Sequence, residues 1–573
     1  MDDKNTTTLK LQKEIERLKK SIKKQRYGLV WMDVPEAFED DVENKLPILK
    51  DVPELALKND DGKPTHILIE GDNYHALTCL NYTHKGKIDV IYIDPPYNTG
   101  SDGFRYKDKR IIDKFPDGTE VPVDHPFRHS YWLSFMKKRL KLAGNLLKDT
   151  GIIFISIDDN ELAQLKLLCD EIFLEKNFVA QLVWENREGG GSSDSKHFKI
   201  KHEYVLAYAK NKKNLEINSV DIEDQDRYTL EDDYVKERGK YQLVKLNSAS
   251  IQYSKSLDYP IKSPDGTKIY PSYGKKKACW RWSKNKLEWG LKNDFVVIKK
   301  GSNGDWAVYT KQYLFMDNDG DKTERTKRPL GVISSFSTTM ANKQLEQMFG
   351  KKVFDYSKPY LLIKYLIGRM PNKESTILDF FAGSGTTGHS VIELNDDDDG
   401  KRQFILVTNN ENNIISEVCY PRIHKVIKGY KSLKKDKIEG LGSSLKYYKT
   451  AFIGKNNILN ATDADKVELA HNAGELLAIA ENTLELVKQN KYYQLFEEGD
   501  KIRYTTVYFR EELDKFEEFV EMVEKLKKKT AVYVFTWGNE GFSDEFDHIK
   551  DVRVKTIPQP ILEIYKNIYN LGA

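Results

Sequence analysis

Residues 87–100 read Lys-Ile-Asp-Val-Ile-Tyr-Ile-Asp-Pro-Pro-Tyr-Asn-Thr-Gly. The run Val90-Ile91-Tyr92-Ile93 predicts a short apolar β-strand, and the two prolines stop it, because proline has no N–H for a ladder and restricts its neighbour. The strand therefore ends on the carboxylate of Asp94, followed by a fixed turn and the aromatic ring of Tyr97. In α/β sheets ligands bind beyond the carboxyl ends of the strands, so Asp94 is predicted to face a ligand.

Working outward, apolar runs alternate with helical stretches: residues 66–73 (HILIEGDN), 151–161 (GIIFISIDDNE) and 202–210 (HEYVLAYAK), separated by 131–149 and 160–173. That alternation predicts a parallel, doubly wound α/β sheet. It gives way between 211 and 340 to polar, aromatic and basic sequence, which reads as an insertion. The α/β pattern returns at 358–370 (KPYLLIKYLIGRM), at 375–394 (STILDFFAGSGTTGHSVIEL) and in the strand 403–408 (QFILVT). Beyond 430 a lysine-rich stretch leads to helices near 463–490 and 511–528 and strands near 501–510, 530–537 and 552–557, predicting a small separate α/β domain. Residues 9–26 carry Leu11, Ile15, Leu18 and Ile22 at helical spacing. The expected organisation is a helical arm over 1–65, sheet halves over 66–210 and 341–430, the insertion over 211–340 and the terminal domain over 431–573.

Bulk properties exclude more than they assign. The 573 residues hold 91 basic and 88 acidic side chains, so any nucleic-acid surface must be local. No apolar run approaches a membrane span and the start lacks a signal-peptide core, so a cytoplasmic location is expected. Cys79, Cys169, Cys279 and Cys419 lie too far apart for zinc spacing, and no metal is expected.

The second informative motif is Asp379-Phe380-Phe381-Ala382-Gly383-Ser384-Gly385-Thr386-Thr387-Gly388. Its glycines allow a tight turn and close approach of backbone to ligand. A dinucleotide fingerprint is the rival reading, but the turn follows an aspartate suited to a cationic amino-acid end and has no Gly-Lys-Ser/Thr of a P-loop. An exocyclic base amine is a poor nucleophile, and Asp94 with the Pro95 carbonyl could hold its two hydrogens while Tyr97 stacks on a flipped base.

A DPPY turn, an intervening variable region and then a glycine-rich turn resemble the β-class amino-methyltransferases of DNA, and more closely the modification subunits of type III restriction-modification systems. Supporting stretches are Gly71-Asp72-Asn73, Trp132-Leu133-Ser134, residues 154–161, Lys358-Pro359, residues 402–412 and residues 557–565. The resemblance implies S-adenosylmethionine as methyl donor and the N6 amine of adenine in duplex DNA as acceptor, with Asp94, Pro95, Pro96 and Tyr97 catalytic. It implies a donor site built from Asp72, Asn73, Lys358, Asp379, Phe380, Phe381, Ala382, Gly383, Ser384, Gly385 and Thr386, with Lys358 near the donor's carboxylate and either Asn410 or Glu411 on the ribose. Asp72 reads equally well as a helix N-cap. The insertion becomes a target-recognition domain, with Lys275, Lys276, Lys277, Trp280, Arg281 and Trp282 as DNA contacts, and Gly189 to Ser193 a loop around DNA or a plain linker. A homodimer and a separate ATP-driven nuclease subunit are the implied partners. Cytosine-N4 methylation, a catalytically silent targeting subunit and a nicotinamide-dependent oxidoreductase stay open as rivals.

Overall fold

The computed structural model describes residues 31, 45–99, 119–122, 125–187, 197–221, 227–250, 252–272, 277–301, 304–323, 326–354, 356–454, 456, 458–499, 501–537 and 541–572. The helix expected over 9–26, Gly189 to Ser193, and Lys275 and Lys276 lie outside these. The chain divides into two compact units, Asn218–Pro329 and the remainder.

The larger unit is built on a ten-stranded sheet of β1 (Leu46–Asp51), β2 (Thr65–Glu70), β3 (Ile88–Ile93), β4 (Leu147–Ile157), β5 (Phe178–Glu185), β6 (His202–Ala209), β7 (Val332–Ile333), β8 (Thr376–Asp379), β9 (Gln403–Thr408) and β10 (Ser444–Ile453). The spatial order is β1-β10-β2-β9-β8-β3-β4-β6-β5-β7. The six strands from β10 to β4 run parallel. Every residue of β3 is buried, as expected of a parallel strand covered on both faces. Alternation sends Ile67, Ile69, Ile91 and Ile93 into one core and Leu68, Val90 and Tyr92 into the other.

Helices fill both faces. On the first lie α1 (Asn73–Thr83) and α2 (Ser130–Leu146), which contribute Leu77, Leu80, Trp132 and Leu140. On the second lie α3 (Tyr360–Ile367), α4 (Thr386–Asp398) and α5 (Tyr420–Lys428), contributing Leu362, Val391 and Ile423. From β8 the chain proceeds to β9 on one side, whereas from β3 it proceeds to β4 on the other. The β8/β3 boundary is therefore the switch point at which a crevice opens beyond the strand ends.

Three expectations need correction. The run 202–210 forms a strand, but β6 is antiparallel to both β4 and β5, because β5 and β6 fold back on each other with Leu182 opposite Val205. The insertion is narrower than 211–340, since residues up to Ile217 and from Leu330 belong to the larger unit and β7 pairs with β5.

Nor is 431–573 separate, or 1–65 merely a helical arm: β10 lies between β1 and β2 inside the main sheet. The terminal sheet, β11 (Glu485–Gln489), β12 (Tyr493–Glu497), β13 (Arg503–Tyr508), β14 (Lys529–Phe535) and β15 (Val552–Ile557), is ordered as in the sequence. One face packs on α7 (Phe516–Leu526) through Tyr508 and Phe519. The other joins the main core through Phe496, Val507 and Tyr533, with α6 (Gly474–Glu481) and α8 (Gln559–Gly572) between it and α1. The buried Tyr565 of α8 donates its hydroxyl to the Pro47 carbonyl of β1 at 3.0 Å.

The smaller unit has its own core of Leu246, Trp280, Leu287, Val296 and Val308 under a three-stranded antiparallel sheet.

Because Tyr565 belongs to the common core, Tyr565→Ala should lower the unfolding free energy by about 3–5 kcal/mol. The check is urea denaturation followed by both tryptophan fluorescence and circular dichroism, with coincident shifts expected. Early loss of the terminal region alone would show that it folds separately.

Candidate active site

The turn after β3 is locked by long-range hydrogen bonds. Trp132, fully buried on α2, donates its indole N–H to the Pro96 carbonyl at 2.7 Å. Asn98 adopts φ 60°, a left-handed value that asparagine tolerates, and its amide donates to Glu161 Oε1 at 2.6 Å. Glu161 also meets His129 Nδ1 at 2.7 Å. Between these anchors the turn presents Asp94 and Tyr97.

Lys358, just before α3, brings its ammonium to 2.9 and 3.0 Å from the two Asp94 oxygens and 3.4 Å from Glu203 Oε2. The same ammonium lies 4.8 Å from the Tyr97 ring centre. Tyr97 donates its hydroxyl to Glu203 Oε2 at 3.1 Å, and Asn186 donates to the other Glu203 oxygen at 2.7 Å. Two carboxylates and one cation thus share a partly buried space. Burial raises the Asp94 pKa, and the Lys358 charge opposes that rise. Burial and the neighbouring Asp94 hold the Tyr97 phenol well above its ordinary value.

The glycine turn follows β8. The buried Asp379 takes the Phe381 N–H at 2.9 Å on one oxygen and the Thr387 hydroxyl at 2.5 Å on the other. It lines the crevice, and both of its oxygens also brace the turn. Burial pushes its pKa up to about 7. Gly385 is left-handed at φ 77° at the N-cap of α4, and a Cβ there would lie 3.1 Å from Cys419 Sγ. Gly388 has a packing role: its Cβ would meet Ile423 Cδ1 at 2.7 Å.

One crevice joins the two motifs, with about 930 Å³ of space, open solvent included. Asp72, Asn73, Asp94, Pro96, Lys358, Asp379, Phe380, Phe381, Ala382, Gly383, Ser384, Thr386 and Glu411 all line it. Asp72 is both lining and N-cap, accepting the Tyr74 N–H at 2.7 Å while Arg139 approaches at 3.4 Å. Asn73 donates to the Phe380 carbonyl at 2.8 Å, tying α1 to the glycine turn. Of Asn410 and Glu411 only Glu411 lines the crevice; the Asn410 side-chain oxygen accepts the Ile415 and Ser416 N–H groups at 3.2 Å. Tyr97 and Gly385 stand beside the crevice without lining it.

In the smaller unit Lys277 and Arg281 are exposed. Trp280 is not a surface aromatic: it is 1% exposed and donates its indole N–H to the Tyr259 carbonyl at 2.7 Å. Trp282 is half-buried against the same core. Both rings pack in the unit's aromatic-rich interior, with Tyr259 and Trp306 beside them.

Sequence reasoning missed Glu203, Arg139, Glu161 and Arg422. Only Glu203 carried a signal, as a charged residue at the start of an apolar strand. Among the described residues no cluster of potential metal ligands occurs, and no helix is long and apolar enough to cross a membrane.

A family model described as DNA methylase matches residues 88–416, more than half of the chain. The chain is 36% identical over 386 residues to the type III restriction-modification enzyme EcoPI Mod subunit of Escherichia phage P1, covering 60% of this chain and 58% of that protein. It is 32% identical over 453 residues to the StyLTI Mod subunit of Salmonella typhimurium, covering 74% and 66%. It is 34% identical over 399 residues to the type II methyltransferase M.KpnI of Klebsiella pneumoniae, covering 64% and 89%. The chain thus spans less than two thirds of the length of these two type III relatives.

The Asp379 carboxyl has a folded pKa above its unfolded value, so its contribution to stability is full below about pH 4 and is lost as pH rises through about 7. Wild-type stability should therefore fall relative to Asp379→Asn between pH 5 and 8 in urea titrations. A difference independent of pH would contradict this assignment.

Proposed function

This chain belongs to the DNA methylase family, and on that premise we propose that it transfers the methyl group of S-adenosylmethionine to the N6 amine of adenine in duplex DNA. The observation that carries the reading is the adjacency of β3 and β8, whose ends bring Asp94 and the glycine turn to one crevice. The crevice suits the donor's chemistry. Phe135, Phe380, Phe381, Ile363 and Ile414 offer apolar surface for a flat ring, Glu411 suits sugar hydroxyls, and Ser384 and Thr386 suit a charged amino-acid end. When bound, S-adenosylmethionine supplies an electrophilic methyl group carried on sulfur.

The residues' roles follow from amine chemistry. Asp94 and the Pro95 carbonyl accept the two amine hydrogens, which draws the nitrogen lone pair out of conjugation, and Asp94 receives the proton released when the N–C bond forms. Lys358 supports the ionised form of Asp94 until the amine arrives. Tyr97 supplies the stacking face, worth roughly 1–3 kcal/mol for an unstacked base. A duplex base reaches such a pocket only when flipped.

The names of the type III relatives support a role as the modification subunit of such a system. Recognition of DNA in the cytoplasm, as a homodimer with a separate ATP-dependent nuclease subunit, belongs to the same proposal. The smaller unit serves as target-recognition domain, with the exposed Lys277 and Arg281, and Lys275 and Lys276 next to them in sequence, as candidate phosphate contacts. Adenine is favoured over cytosine-N4 by the aspartate at position 94, where cytosine members of the resembling class more often carry serine.

The test is to incubate the protein with unmethylated genomic DNA and S-adenosylmethionine and map modified bases by single-molecule sequencing. N6-methyladenine at one short motif is expected, reduced by roughly 10²–10⁴-fold in Asp94→Ala. Methylcytosine would replace the adenine reading. Sequence-specific binding without methylation would favour a silent targeting subunit.

A further inference from the structure

Glu203, the second residue of β6, ends beside the catalytic turn with a carboxylate to which the proposed reaction gives no task. Its Oε2 accepts the Tyr97 hydroxyl at 3.1 Å and lies 3.4 Å from the Lys358 ammonium, while its Oε1 accepts the Asn186 amide at 2.7 Å. Lys358 sits closer to Asp94, 2.9 and 3.0 Å from its two oxygens, with its own side chain 8% exposed. One ammonium thus bridges two carboxylates. Among the described residues neither carboxylate has a second cation at ion-pair distance. The other titratable groups facing this bridge are the phenols of Tyr92 and Tyr97, both held well above their ordinary pKa by burial and so neutral, Asp158 just past β4, and Asp379. His202 and Tyr204 alternate to the opposite face of β6, where they meet each other and Asp159.

The bridge in its resting form opposes the chemistry. A carboxylate held through both oxygens by an ammonium is a weaker base, and the amine must compete for an oxygen that Lys358 holds. Withdrawing Lys358 with no other partner would leave a buried cation alone, which is costly. Glu203 removes that cost, because an ammonium that leaves Asp94 for Glu203 exchanges one ion pair for another. A short swing suffices, since it already stands 3.4 Å from that carboxylate. The same placement serves the end of the reaction. As the nitrogen lone pair forms the N–C bond and the C–S electrons return to sulfur, the nitrogen sheds a proton to Asp94, which becomes neutral. Lys358 and Glu203 then remain as a balanced pair. Burial raises the Asp94 pKa, Lys358 opposes the rise and the Glu203 charge adds to it, so Glu203 makes Asp94 a better proton acceptor.

Resting on the methyl-transfer reading above, we propose that Glu203 is a positioning residue that draws Lys358 off Asp94 as the target amine arrives, so that the amine meets a free carboxylate. Lys358 is thereby shared in turn, with Asp94 in the resting site and with Glu203 during transfer. Tyr97 and Asn186, which donate to Glu203, hold its carboxylate in place for that role.

Glu203→Gln removes the charge and keeps the shape. Its amide oxygen can still accept the Tyr97 hydroxyl, and its amide nitrogen can turn to Asn186, whose own side-chain oxygen is buried without a hydrogen-bond partner among the described residues. The test is the single-turnover rate of methyl transfer by the full chain, at saturating S-adenosylmethionine, to a duplex carrying the methylated motif, followed against pH. In the wild type the rate rises with pH as Asp94 ionises. With the Glu203 charge gone and Lys358 left to Asp94 alone, the Asp94 pKa falls, so in Glu203→Gln the acid limb moves to lower pH. Its plateau drops by roughly 10- to 100-fold, a part of what proton transfer to a positioned base contributes, while the duplex binds as before. A purely structural role would lower the plateau and leave the limb where it was. Tyr97→Phe, which deletes the hydroxyl and no charge, should not move the limb downward, and Asp158→Asn should leave it in place. A Glu203→Gln limb at or above the wild-type pH, or a limb that vanishes in Asp158→Asn, would overturn the role of Glu203. If the wild type transfers no methyl group to any duplex, the methyl-transfer reading itself falls, and this role with it.

Discussion

The pairing of β3 with β8, Val90 beside Ile377 and Ile91 beside Leu378, is the contact on which the crevice between the two motifs depends. The two strands are separated by the smaller unit and much of the sheet, and nothing local obliges them to meet. What brings them together is that both are short, apolar on both sides and hidden from water, so each must be flanked by other strands and covered by helices on either face. Once they meet, the switch in chain direction at their boundary leaves the space past their ends unfilled by a crossover helix. Asp94 and Asp379 conclude the two strands, and their turns shape that space from opposite sides.

A buried crevice lined by charged groups is electrostatically expensive, and the structure meets the cost by sharing. Lys358 serves Asp94 and Glu203 together, Glu203 is shared among Lys358, Tyr97 and Asn186, and Glu161 holds both Asn98 and His129. Each charge has several partners, so displacing one leaves the others engaged. Such an arrangement tolerates the arrival of a substrate amine between Asp94 and Lys358 better than an isolated ion pair would. The same logic separates roles within the glycine turn. Asp379 braces the loop, while Ser384 and Thr386 face the crevice with the Arg422 charge behind them.

The strands that build the site were legible because their endings are chemically abrupt: Asp94 before two prolines and Asp379 before a glycine turn. Arg422 was not, and Glu203 only faintly, as a charge at the start of an apolar strand, since each acquires its meaning from neighbours brought by tertiary folding. The terminal boundary failed for a related reason. In β10 the pattern Ser-Leu-Lys-Tyr-Tyr-Lys reads as a polar continuation of a lysine-rich segment, yet Lys446 is largely buried there, within 3.8 and 3.9 Å of Asp51 and Glu485. Trp280 and Trp282 illustrate the opposite error. Aromatics beside lysines look alike in sequence whether they await a ligand or fill a small core, and only the indole N–H bond to Tyr259 decides for Trp280.

The way the smaller unit is inserted bears on how specificity and chemistry can vary apart. The chain leaves the larger unit after β6 and returns before β7. The unit's first and last strands, Val220–Asp221 and Thr326–Lys327, pair with each other, so its two ends are held together from within. An insert closed in this way can change its length, loops and surface charge without altering the spacing its host must bridge. Its core is likewise its own, built around Trp280 and Leu287 with strands from three separate segments. If target choice resides in the smaller unit and the reaction in the carboxylate, the lysine and the glycine turn, as proposed, the first can evolve while the second stays in place.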